Sequence, residues 1–298
     1  MRVIGFNEKT NNPIILCLGG FDSIHLGHKK LISKAQKLKE ELGSDIAVFT
    51  YDNDIGSIGG KTQGLVFTYE ERLGILSGLG VDEVCLAHFS KEYANTQPQV
   101  FLDYLNSNRN ISALVCGKDF RFGKNASGNT DLLQEYCLNN GLMLYICDFE
   151  CDEEGNKIST TQIKRMLESG NISKVNSLLG NRYFIEGEVV KGRQVGKTLG
   201  FPTANIEFPA DKYLPRSAVY ATSVFLNGKE YRGITNVGNA PTFNCEHSLI
   251  ECHIDGFSGD LYGKKLKIYF DFFIRENRRF NSVNQLILQL EEDLKVIR

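Results

Sequence analysis

The hydrophobic period of this 298-residue chain changes once, near residue 180, and that change limits the folds open to it. Before it, short apolar runs alternate with helical patterns. Pro13-Ile14-Ile15-Leu16-Cys17-Leu18 reads as a buried strand that ends at Gly19-Gly20. From His28 the residues Leu31, Ile32, Ala35, Leu38 and Leu42 fall on one helical face, and Gly43 stops the helix. Further buried strands are expected at 46–50, 84–87, 113–116 and 142–147, with helices around 68–79, 98–106 and 131–139 between them. Strands spaced by helices predict a parallel sheet with helices on both faces. Two short helices, 161–168 and 173–179, each close on a glycine, and the domain boundary is placed at 181/182.

Beyond it the period is two. The run 219–226, then Asn227-Gly228, then 229–234 carries the strongest short-range hairpin signal. Leu266, Ile268, Phe270, Phe272 and Ile274 share one face of the next long strand, opposite Lys267, Tyr269 and Asp271. Half-buried antiparallel strands of this kind build a small barrel or sandwich. The last segment predicts an amphipathic helix with capping-box spacing at Ser282 and Gln285, and an apolar stripe of Val283, Leu286, Ile287, Leu290, Leu294 and Ile297.

A formal net charge of -2 supplies no cationic field for gripping nucleic acid, so no nucleic-acid partner is expected. No stretch approaches the roughly 20 apolar residues of a membrane span, and the first twenty residues lack the pattern of a secretory signal. The eight cysteines are scattered, with no Cys-x-x-Cys pair, and several lie in apolar runs. Reduced, buried thiols in a cytoplasmic protein are the expectation. Nothing in the sequence decides between a monomer and a homo-oligomer.

Residues 19–28, GGFDSIHLGH, join the first strand to the first helix, at the crevice where open α/β sheets bind ligands. Gly19, Gly20 and Gly27 allow backbone amides to approach a phosphate, and the helix N-terminus adds partial positive charge. Phe21 lies within the same loop. His25 and His28 can donate to phosphate oxygens and neutralise charge; taken alone, two histidines this close could instead be structural or hold a metal. Ser159, Thr160, Thr161 and Lys164 open a later helix, where hydroxyls, amides and a cation suit a triphosphate, or form a plain helix cap. Asp119-Phe120-Arg121-Phe122-Gly123 follows the strand at 113–116; on residues alone its phenylalanines go to core and its charges to a local pair.

The second half has its own glycine-rich loop, Gly192 to Asn205, which includes Lys197, Gly200, Phe201, Pro202 and Thr203. It is not a Walker sequence. Thr203 and Asn205 offer neutral oxygens to a hard cation held between phosphates, or an Asn that bonds its own backbone in a turn. Glu251 and His253 face away from Ile250, Cys252 and Ile254, which fits a solvent-facing carboxylate or a general base.

HxGH at 25–28 resembles the nucleotidyltransferase signature, and 158–165 is similar to the ISSTxIR motif of one branch. With DFRFG at 119–123, PTAN at 202–205, GNAPT at 238–242, Glu251 and Asp260-Leu261-Tyr262-Gly263, the order resembles the bacterial bifunctional riboflavin kinase/FMN adenylyltransferase (FAD synthetase) family. That resemblance covers about 14–297. It implies an N-terminal Rossmann-like nucleotidyltransferase domain, 1–181, and a six-stranded antiparallel β-barrel kinase domain with a C-terminal helix, 182–298. It implies FMN synthesis from riboflavin and ATP, then FAD synthesis from FMN and a second ATP with release of pyrophosphate, and only these small molecules as partners.

The resemblance also assigns roles. Gly19, Gly20, Phe21, His25, Gly27, His28, Ser159, Thr160, Thr161 and Lys164 would bind the adenylyl donor, and Asp119, Phe120, Arg121 and Phe122 the flavin. In the kinase half, Gly192, Lys197, Gly200, Phe201, Pro202, Thr203 and Asn205 would bind ATP, Thr203 and Asn205 also Mg2+, and Glu251 and Arg275 the flavin. Glu251, His25 and His28 are the catalytic candidates. The chain departs from the family pattern at Gly20 (usually Asn), Ser23 (usually Gly), Lys164 and Lys197 (usually Arg), Ala218 (usually Gly) and the run 49–53. Two alternatives stand beside the dual enzyme: a kinase with a decayed first domain, and a non-catalytic flavin-binding regulator.

Overall fold

The computed structural model describes residues 1–56, 64–192, 196, 200–238 and 250–298. The chain divides into two compact units, Met1–Thr160 and Thr161–Arg298. Lys197, most of the loop around it, 239–242 and 248–249 lie outside the described residues.

The first unit runs β1 (Arg2–Gly5), β2 (Pro13–Leu18), α1 (Leu26–Leu42), β3 (Asp45–Tyr51), α2 (Tyr69–Gly78), β4 (Glu83–Ala87), α3 (Lys91–Ala94), α4 (Pro98–Asn108), β5 (Asn110–Gly117), α5 (Thr130–Asn140) and β6 (Met143–Cys147). The strands form one parallel sheet in the order β1-β4-β3-β2-β5-β6. From Ile14 to Leu18, β2 is buried on both faces, which is why its sequence is apolar without alternation. Ile14, Leu16 and Leu18 pack with α4 and α5 through Phe101, Leu105 and Leu133. Ile15 and Cys17 pack on the other face with Leu31, Ile32 and Ala35 of α1. The strand order reverses beside β2, and a crevice opens there at the carboxyl ends of β2 and β5. Gly43, at φ 61, closes α1 in the left-handed conformation.

α6 (Thr160–Ser169) opens at the junction, and α7 (Ile172–Leu179) follows. Both fold with the second unit; Asn176 of α7 donates to the Phe270 carbonyl at 2.8 Å and accepts from the Tyr183 amide at 2.7 Å. The closed barrel comprises β7 (Phe184–Val190), β8 (Thr203–Glu207), β9 (Ala218–Leu226), β10 (Lys229–Val237), β11 (Ile250–Ile254) and β12 (Lys265–Glu276), in the order β10-β11-β8-β7-β12-β9. Every pairing is antiparallel. Asn227 and Gly228 both take positive φ, 51° and 78°, the backbone that a two-residue hairpin needs.

α8 (Val283–Ile297) has the expected cap, with Ser282 accepting from the Gln285 amide. Its buried side contains the predicted stripe except Val283, with Leu286, Ile287 and Leu290 half-buried, and extends to two polar residues. Leu294 and Ile297 cover Val219, Ala221 and Ile234, but Val283 is exposed and the polar Gln289 and Asp293 are buried. The cause is a tertiary partner. Arg275 of β12 donates to Asp293 through Nε (2.9 and 3.1 Å) and Nη2 (2.7 Å), and Gln289 donates to the same carboxylate at 2.7 Å. The helix thus buries, beside its apolar stripe, two polar residues whose partners satisfy them.

All described cysteines are free thiols; most are buried, and Cys151 is exposed. No helix among the described residues is long and apolar enough to cross a membrane.

Candidate functional site

In the first unit, residues 19–25 leave the buried end of β2 and turn into α1. Phe21 and Ile24 are fully buried yet take φ of 47° and 43°, a conformation costly for side chains of this size. Their burial holds the strained loop in place. Gly20 faces open space and lines the crevice; its carbonyl accepts from Thr50 Oγ1 at 2.7 Å, and Arg72, itself buried, donates to that hydroxyl at 3.0 Å. Ser23 is also buried, and its hydroxyl meets that of Thr160 at 2.8 Å. A serine where the family pattern has glycine thus ties this loop to Thr160, the last residue of the first unit.

His25 caps α1, its Nδ1 accepting from the His28 amide at 3.3 Å. The two imidazoles stack with centroids 3.9 Å apart, and Phe21 lies 4.6 Å from His28. Gly27 makes room: a Cβ there would sit 2.9 Å from the His25 ring. Burial, and to a lesser degree the Lys157 charge, push His25 down to about 4, and burial with the neighbouring His25 holds His28 well below its ordinary value. Both are neutral at pH 7. The sequence suggested histidines that neutralise charge; the structure leaves each with a single N–H to donate.

The facing wall comes from the loop after β5. Phe120 and Phe122 stack at 5.4 Å, and Phe122 packs against Gly128, where a Cβ would meet the ring at 2.7 Å. Phe49, Tyr51, Tyr93 and Phe101 complete an aromatic lining. Together with Gly19, Gly20, Gly27, His25, His28, Ser159 and Thr160, these walls enclose about 640 Å³, ample for a nucleotide beside an aromatic ring system. Asp119 and Arg121 also line this cavity. Thr161 and Lys164 lie on α6 within the second unit, where Lys164 stands over the Tyr213 ring.

The second unit places Thr203 and Asn205 on β8 beside β11, with Asn205 paired to Glu251 and Thr203 to His253. On its other side Glu251 pairs with Asn236 of β10. Asn205, Glu251 and Asn236 therefore stand in a row on one face. Asn205 is buried, and Gly192 is packed so closely that a Cβ there would lie 2.2 Å from the Asn205 amide nitrogen. A Cβ on Gly196 would sit 3.3 Å from Thr203 Oγ1. His253 bonds the Pro202 carbonyl at 2.9 Å, with Phe201 against its ring. Gly200 takes φ 83°. No described cation pairs with Glu251. Arg275, expected at flavin, is engaged by Asp293. The sequence reading missed Asn236, whose Oδ1 is buried without a partner among the described residues; its only signal was a polar residue opposite Glu251, visible once register was known.

Among the described residues no group of three or more His, Cys, Asp or Glu could hold a metal ion. A magnesium ion carried by nucleotide phosphates needs less, since it keeps most of its water and takes one or two protein oxygens. The glycine-lined surroundings of Thr203 and Asn205 fit that mode.

The chain matches two family models: FAD synthetase over residues 7–162 and riboflavin kinase over residues 179–298. It is 32% identical to the Bifunctional riboflavin kinase/FMN adenylyltransferase of Bacillus subtilis, covering 94% of this chain and 90% of that one. Its identity to the protein of the same name from Listeria monocytogenes is also 32%, covering 96% and 92%. A crystal structure from Streptococcus pneumoniae, titled a macrolide-efflux protein, has the same fold, with a TM-score of 0.90, 30% identity, and coverage of 99% and 98%. The two domain matches and the curated names, rather than that title, bear on function. With both sites and both matches in one order along one polypeptide, the chain belongs to the bifunctional riboflavin kinase/FMN adenylyltransferase family.

Proposed function

We propose that this chain makes FMN and FAD in two steps, the first in the barrel unit and the second in the Rossmann-like unit. The observation that carries the reading is one cavity lined by the HxGH loop, the DFRFG loop and the Ser159–Thr160 helix start, in a chain whose barrel separately pairs Glu251 with Asn205. The functional boundary is placed at 181/182, supported by matches that end at 162 and begin at 179.

In the kinase half, Glu251 takes the proton of the riboflavin 5′-hydroxyl as that oxygen attacks the γ-phosphorus of ATP and ADP leaves. A positioned base of this kind contributes roughly 10²–10⁴ in rate. Gly192, Lys197, Gly200, Phe201 and Pro202 belong to the loop that holds the nucleotide. Thr203 and Asn205 would hold a magnesium ion between the phosphates, and that ion supplies charge neutralisation at the transferring group.

In the first half, a phosphate oxygen of FMN bonds to the α-phosphorus of ATP, the bond to the bridging oxygen breaks, and pyrophosphate leaves. The nucleophile is already anionic, so no base is needed. Gly19, Gly20, Phe21 and Gly27 shape the loop, His25 and His28 donate neutral hydrogen bonds, and Ser159 and Thr160 meet the triphosphate. Phe120 and Phe122 give the isoalloxazine a flat apolar wall, with Arg121 beside them.

The test is a product assay with ATP and magnesium, run separately from riboflavin and from FMN. The dual enzyme yields FMN and FAD from the first and FAD from the second. A kinase with a decayed first domain yields no FAD from either, and a non-catalytic binder consumes no ATP.

A further inference from the structure

We propose that Lys157 is the protein cation that meets the polyphosphate of the adenylyl donor in the first unit, and that Asp119 is its positioning residue rather than a flavin contact. The proposal rests on the adenylyltransferase reading above. That reaction brings the phosphate of FMN up to a triphosphate, so two anions must be compensated in a cavity of low dielectric. The histidines do not supply the charge, because burial keeps both neutral. Among the described residues that line the cavity, the permanent cations are Arg121 and Lys157. Arg121 belongs to the phenylalanine wall. Lys157 leads directly into Ile158, Ser159 and Thr160, and its charge is felt at His25, which places it on the nucleotide side.

The surroundings of Lys157 hold its ammonium at the cavity without burying it. Asp119 pairs with it, the Phe149 ring lies 4.3 Å beneath Nζ, and Cys151 bridges its backbone. Asp119 in turn folds back against the end of β5, its Oδ1 3.1 Å from where a Gly117 Cβ would stand. The other two acids lining the cavity, Asp148 and Glu150, pair with Lys118 and Lys30, neither of which lines it. The Lys157 side chain keeps 39% of its surface exposed and Asp119 keeps 52%, so the pair does little for stability. An incoming phosphate can join this ammonium without displacing any buried group.

The experiment uses the full-length protein with Lys157→Gln, Lys157→Arg, Asp119→Asn and wild type. Conversion of FMN to FAD, FMN formation from riboflavin, and binding of inorganic pyrophosphate by calorimetry are measured. Lys157→Gln is expected to lower kcat/KM for ATP in FAD formation by roughly 10–100-fold and to weaken pyrophosphate binding about tenfold, while FMN formation stays unchanged and reports folding. Lys157→Arg should restore most of the loss. Asp119→Asn should raise KM for ATP several-fold with KM for FMN unaltered. FAD formation and pyrophosphate binding by Lys157→Gln within twofold of wild type would overturn the role of Lys157. A rise in KM for FMN alone in Asp119→Asn would overturn the role of Asp119. Should wild type make no FAD, the functional reading falls, and the pyrophosphate measurement still decides for or against Lys157.

Discussion

Asn205 of β8 and Glu251 of β11 stand directly opposite each other in the barrel, with Asn236 across the next strand pair. The Glu251 carboxylate thus stands beside two neutral amides and pairs with no described cation. Glu251→Gln keeps the shape and removes the proposed base. FMN formation from riboflavin is expected to fall roughly 10²–10⁴-fold while FAD formation from supplied FMN is retained, as rates from the two substrates will report.

Gly192 is the point where the barrel's loop touches Asn205. In Gly192→Ala the new methyl would stand 2.2 Å from the Asn205 amide nitrogen, so the amide must move. Displacements of about 1 Å in a catalytic arrangement can cost on the order of 10²-fold, and kcat/KM for ATP in the kinase reaction should drop by that order. FAD formation from FMN should not change.

The pair Arg275–Asp293 secures α8 to β12, with Asp293 almost wholly buried. Asp293→Ala leaves a guanidinium without its partner, and a loss of about 3–5 kcal/mol is expected from breaking a pair of this kind. Urea unfolding of the full chain, followed by a probe in the barrel, measures it.

Much of this fold was legible because local pattern and tertiary role agreed. The unbroken apolar run of β2 could only be a buried strand, and Asn227-Gly228 supplied the positive φ of its hairpin. The short β1 was not legible: four residues with two apolar ones gain their structure by pairing with β4. The buried side of α8 was misread at Asp293 and Gln289, since Arg275 lies on a distant strand. At the first site the motif residues could be listed from the sequence, and all but Thr161 and Lys164 line the cavity or support its loop. Their charge could not be read, because the neutrality of His25 and His28 comes from burial that spacing does not reveal.

That neutrality has a pH signature. His25 is held at about 4, below the ordinary value of 6.5, so between these values the unfolded chain binds more protons than the folded one. Stability is full above pH 6.5 and lost as pH falls toward 4. A difference of this size is worth on the order of 3 kcal/mol. Denaturant unfolding of wild type at pH 7 and pH 5 should show the decline, and His25→Asn should flatten it. FAD formation should show no histidine titration between pH 6 and 8.

Two independent sites, each with its own flavin and its own ATP, are most directly tested by mixing variants. Glu251→Gln and His28→Ala are each given riboflavin, ATP and magnesium, first alone and then together. Alone, the first should make neither product at an appreciable rate and the second should stop at FMN; mixed, FMN released by the second should become FAD on the first. FAD from either variant alone at the wild-type rate, or a mixture that accumulates FMN and makes no FAD, would contradict two separable centres in one chain.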